Sequence, residues 1–237
     1  MGLVLPLWVL GSFILAQVIA IVFIQLLSLI GISFSGVNTS VVNAATGAVI
    51  YVLTITLVIG LPWLVKKYRT SRQEIGIQET PAWLDFLLAP SGFLVYIVLS
   101  AILVMIATNF LTFVDMEQVQ DTGFSQLTQR YEYILAFLTL VVIAPIAEEI
   151  LFRGYLFGKL RQHVPLWIAI IITSLAFGLA HGAWNVGIDV FALSIVLCLL
   201  RVVSKSLWPS IMLHMLKNGL AYYLLFIDPT LLTSLGG

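Results

Sequence analysis

The chain has 237 residues, of which 61% are hydrophobic and 9% charged, and its 11 basic and 11 acidic side chains cancel. A soluble domain carries about a quarter charged residues, so the composition excludes an ordinary water-soluble domain and indicates an integral membrane protein, with no nucleic-acid partner expected. A single cysteine, Cys198, excludes an intramolecular disulfide and reads as apolar filler facing lipid or another helix.

The N-terminal stretch MGLVLPLWVLGSFILAQVIAIVFIQLLSLI has no basic leader and is too long for a cleaved signal peptide, so it reads as a retained first span. Seven apolar runs in all, at about 3–30, 41–65, 91–114, 132–157, 165–182, 188–203 and 207–227, are long enough or nearly so to cross a bilayer as helices. The stretch ETPAWLDFLLAPSG (79–92) is too short to span. Trp83, Phe86 and Leu87 share one helical face there, which predicts a helix lying in the interface. The expected fold is therefore all-α: a polytopic transmembrane helical bundle of about seven spanning helices plus one interfacial helix, a single membrane domain over 1–237.

Orientation follows from the basic residues. Lys66, Lys67, Arg69 and Arg72 follow the second run, Lys159 and Arg161 the fourth, and Arg201 and Lys205 the sixth. The loop from 115 to 132 carries Asp115, Glu117, Asp121 and Glu132 against Arg130 alone. This alternation predicts a cytoplasmic N-terminus, with the acidic loop and the tail IDPTLLTSLGG outside. The compact chain points to a prokaryotic plasma membrane.

Ionisable groups within apolar runs mark functional sites by default, because burying them in hydrocarbon is costly. Three clusters stand out: Glu148, Glu149 and Arg153; FGLAH, ending in His181; and HMLKN, from His214 to Asn218. Glu149 and Arg153 are four apart with the acid first, the favourable order for an ion pair on one helix face. Glu148 lies about 100° away, so it can point elsewhere while its neighbour is neutralised. His214 and Asn218 share a face of their own. Counting from a turn near His163 puts Glu148 and His181 at roughly 22–27 Å along their helices, so a common site is permitted. His163 itself reads as surface, and Lys217 is assigned no role. Asp189 and Trp184 are explained by helix capping and interface anchoring.

EEILFR, FGLAH and HMLKN, in this order, resemble the signature of the CPBP family of CAAX proteases and bacteriocin-processing enzymes, also called Abi. The resemblance covers 132–227, the expected catalytic core. It implies an intramembrane endopeptidase acting on a membrane-associated peptide or protein within the lipid bilayer. Glu148 would activate water together with His181, and His214 and Asn218 would steady the oxyanion. Peptide hydrolysis does need a base for water, a donor for the oxyanion and a proton for the leaving amine. Glu148, Glu149, Arg153, His181, His214 and Asn218 are thus the candidate site. His181 is the histidine expected beside Glu148, with His214 paired to Asn218. No cofactor is expected, because a metal-free scheme gives every signature residue a task. A divalent metal such as zinc would take Glu148, His181 and His214. The alternatives are a non-proteolytic scaffold or bacteriocin-immunity factor, and a proton-coupled transporter, which would show internal symmetry or broken helices in matching halves.

Overall fold

In a computed structural model, residues 4–111, 115, 116, 118, 122–124 and 127–234 are described. Glu117 and Asp121 of the acidic loop, positions 112–114 at the expected end of the third span, and the last three residues lie outside the described residues. Among the described residues all regular structure is helical. Six helices are long and apolar enough to cross a membrane: α1 (Val4–Leu29), α2 (Thr39–Lys66), α4 (Trp83–Phe110), α5 (Arg130–Leu160), α7 (Trp184–Ser204) and α8 (Trp208–Ile227). Between them lie the one-turn α3 (Arg72–Ile75) and the shorter apolar α6 (Leu166–Leu179). The outward faces of α1 and α4 expose Ile14, Ile21, Leu94, Val98 and Met105, as lipid contact requires. The protein is a multi-pass integral membrane protein.

Two predicted elements are corrected. Residues 79–92 do not form a separate interfacial helix, for α4 begins at Trp83 and runs unbroken through Pro90. The Asp85 carboxylate starts it by accepting the Ala82 N–H at 2.9 Å. Proline removes one ladder bond, which a helix supported by its neighbours tolerates. At 28 residues α4 is about 42 Å long, beyond the roughly 30 Å of hydrocarbon, so its first turns extend past the core. Exposed Trp83 and Leu87 belong to that extension.

The second correction concerns α6, which stops at Leu179 after 14 residues, about 21 Å. It is too short for an ordinary crossing. The chain turns over His181 and Gly182, the glycine at φ +71°, and α7 begins at Trp184, earlier than the composition suggested. Irregular backbone at such a place is tolerated where it lines a cavity within the protein, and that is where His181 lies.

α7 packs against both α6 and α4, and α8 packs against α4 and α7. Leu151, Leu156, Phe157 and Phe177 form the main core with Cys198, which therefore faces helices and not lipid. The connector after α2 tucks beneath α5. A Cβ on Gly154 would stand 2.7 Å from Ile75 Cγ2, so only glycine admits α3 there.

Candidate active site

The geometry of α5 originates in a defect. Over Leu138–Ile143 and again over Ile150–Leu156 the helix widens to i→i−5 hydrogen bonding, a feature frequent at functional sites. Ala144 N–H reaches back to Thr139 O. The next residue, Pro145, has no N–H to give. The Leu140 carbonyl is thereby released from the ladder and accepts from Asn218 Nδ2 of α8 at 2.9 Å. Buried carbonyls need such partners, so the defect in α5 fixes the position of Asn218.

One turn further on, the two glutamates separate. Glu149 is fully buried, and its Oε1 accepts from Arg153 Nη1 at 2.9 Å, the i,i+4 ion pair anticipated from spacing. The same oxygen accepts from His214 Nδ1, also at 2.9 Å. The Arg153 guanidinium lies over the Phe177 ring, 4.2 Å from its centroid, a cation–π contact strengthened by desolvation. Glu148 points the other way into a cavity of about 330 Å³. Its Oε1 accepts from the Tyr51 hydroxyl at 2.5 Å, and its Oε2 stands 3.8 Å from His214 Nε2.

The acceptors define the histidine tautomers. Phe177 O can only accept, so His181 Nδ1, 2.8 Å away, carries the proton and Nε2 keeps a lone pair. By the same logic His214 gives its Nδ1–H to Glu149. Phe177 also packs edge-on against both rings, at 4.9 Å from His181 and 5.8 Å from His214. The first residue of FGLAH therefore seats the arginine and both imidazoles.

Glu148, His181, His214 and Asn218 all line the one cavity, with Glu149 and Arg153 buried behind it. The expectation that His181 alone lies beside Glu148 is corrected, since His214 stands at 3.8 Å. His163 is exposed, as expected.

Three further residues escaped the sequence reading. Asp189 does not cap α7, whose N-cap is Ala183. It accepts from Tyr96 and Ser100 of α4, each at 2.6 Å, and pairs with Lys217 at 3.3 Å. Lys217 lines the cavity and brings a cation to it. A lysine and an aspartate in two apolar runs were the available signal. Tyr51 of α2 carried none.

Among the described residues, no three His, Cys, Asp or Glu side chains converge closely enough to hold a metal ion.

Residues 130–220 match the family described as Type II CAAX prenyl endopeptidase Rce1-like. The membrane-embedded CAAX protease MroQ of Staphylococcus aureus is 32% identical over 94 residues, 37% of this chain and 38% of that protein. An uncharacterized 24.3 kDa protein of Escherichia coli is 32% identical over 89 residues, 35% of this chain and 41% of its own length. UPF0177 protein YxdF of Lactococcus lactis is 31% identical over 87 residues, 34% and 48% of the two chains. The chain spans less than half the length of each of these curated relatives. No solved structure matches it. Three motifs gathered on one cavity of a multi-pass membrane protein fall within the stretch, residues 130–220, that is similar to the Rce1-like membrane-protease family.

Proposed function

We propose that the protein is an intramembrane endopeptidase hydrolysing a peptide bond of a membrane-associated peptide or protein, with Glu148 as the base. The observation that carries this reading is the division of labour between adjacent glutamates. Glu149 is neutralised by Arg153 and bound to His214, whereas Glu148 keeps one oxygen toward the cavity.

Glu148 Oε2 and His214 Nε2, 3.8 Å apart, suit a single water held between them, with one of its hydrogens given to Glu148. Glu148 takes the water's proton as its oxygen attacks the scissile carbonyl. Donors are then needed for the oxyanion. An amide has two N–H bonds, and Asn218 commits one to Leu140 O, which leaves the other for the oxyanion. The Lys217 ammonium adds positive charge to the same wall. His214 Nε2, on the same cavity, is placed to share that role. His181, with its own acceptor nitrogen, shares the orienting of water. Collapse of the intermediate breaks the C–N bond as Glu148 returns its proton to the leaving amine.

The test compares membrane peptides from cells producing wild-type or Glu148→Gln protein at matched folded levels. Peptides that accumulate with the wild type should be absent with the variant. Identical peptide sets, with Glu148→Gln retaining wild-type processing, would remove this reading.

A further inference from the structure

We infer that Tyr51, on α2 and outside the segment that matches the family, is a positioning residue whose hydroxyl holds one oxygen of Glu148 and so aims the other. The inference rests on Glu148 being the base. It adds a contribution from the N-terminal helices that none of the three motifs contains.

A glutamate side chain turns about three torsions, and its two oxygens are interchangeable unless something distinguishes them. Glu149 is distinguished by Arg153 and His214 together. For Glu148 the short bond from Tyr51, at 2.5 Å, performs that task. Hydrogen bonds to an ionised acceptor are about twice as strong as neutral ones. With Oε1 so held, Oε2 faces His214 Nε2, where the attacking water is required.

Tyr51 is itself held in place. Its ring packs on Phe13 of α1, with centroids 6.4 Å apart and planes tilted by 35°. Val9, Phe13 and Thr54 continue this wall from α1 and α2 around the cavity. Phenylalanine would fill the same space. The hydroxyl is what a purely apolar wall has no use for, because a buried O–H without a partner is destabilising. Its position 97 residues before Glu148 makes α2 a working part of the site.

A misplacement of about 1 Å in catalytic geometry costs on the order of 10² in rate. The full chain is purified in detergent and assayed with a fluorogenic peptide built on a membrane peptide that accumulates in cells producing the wild type. Tyr51→Phe keeps the ring and its contact with Phe13. It should lower kcat about ten- to hundredfold and leave KM within about twofold. An unchanged kcat in Tyr51→Phe, or a rise in KM alone, overturns the inference. Wild-type turnover by Glu148→Gln would instead strike at the proposed function itself, so the two failures are distinguishable.

Discussion

Glu149→Gln separates the structural glutamate from the chemical one. Glu149 and Arg153 are both fully buried and meet at 2.9 Å. After the substitution the guanidinium keeps its charge, the face of Phe177 at 4.2 Å and a neutral amide oxygen in place of the carboxylate. Removing one partner of a buried pair costs about 3–5 kcal/mol. In a chain of this size each kcal/mol shifts the unfolding midpoint by about 2–4 °C, so the expected fall is about 6–20 °C. The molecule supplies its own probe. Cys198, its single cysteine and fully buried, reacts with a thiol dye only when the bundle opens. Heating detergent-purified protein with such a dye gives the midpoint directly. Glu148→Gln should stay within a few degrees of wild type, because that carboxylate is partly exposed to the cavity and amide replaces it without stranding a cation. Replacing both members, as Glu149→Gln with Arg153→Met, should recover much of the loss, since a buried pair exchanged for apolar packing is often neutral or better. An unshifted midpoint for Glu149→Gln beside a large fall for Glu148→Gln would refute the assignment of the two residues.

Two other outcomes follow from the same geometry. Asn218→Ala should lower kcat by about 10²–10³, the usual penalty for an oxyanion donor; its orphaning of Leu140 O should also cost about 1–3 kcal/mol of stability in the dye assay. Stability loss without a kinetic defect would confine Asn218 to holding α5. Purified protein should contain no stoichiometric zinc by elemental analysis and should keep its activity in a strong chelator; metal whose removal reversibly abolishes activity would defeat the metal-free scheme while leaving the protease reading intact.

Local signals in the sequence located most of the site. Glu149 and Arg153 are one helical turn apart, and the i,i+4 rule pairs them without any tertiary knowledge. The same rule set Glu148 apart from its neighbour, and helix rise brought His181 to a similar level. Apolar length located the six spanning helices but also counted α6, which is too short for an ordinary crossing. The errors arose where the decisive contact is distant or where one residue type admits two outcomes. Residues 79–92 read as a separate interfacial helix, yet α4 starts at Trp83 and passes through Pro90. Asp189 sits near a helix start and so resembles a cap, yet its partners Tyr96 and Ser100 are 93 and 89 residues away. Tyr51 is one aromatic among many in an oily helix. Only the fold sets it against Glu148. His214 was grouped with Asn218 because they share a face, which is correct, but Glu149 and Glu148 approach that face from α5.

The released carbonyl of Leu140 bears on how the protein is made. Helices enter the bilayer in order of synthesis, and α5 arrives with a gap in its ladder that only Asn218, 78 residues later, fills. His214, which orders the buried carboxylate and faces the other, comes from the same late helix. A ribosome that has delivered α1 to α7 has therefore released a complete wall and an incomplete site. On the proposed function, hydrolytic competence would begin only when α8 docks, and a nascent bundle would have no means to cut the membrane proteins, itself included, that share its insertion site.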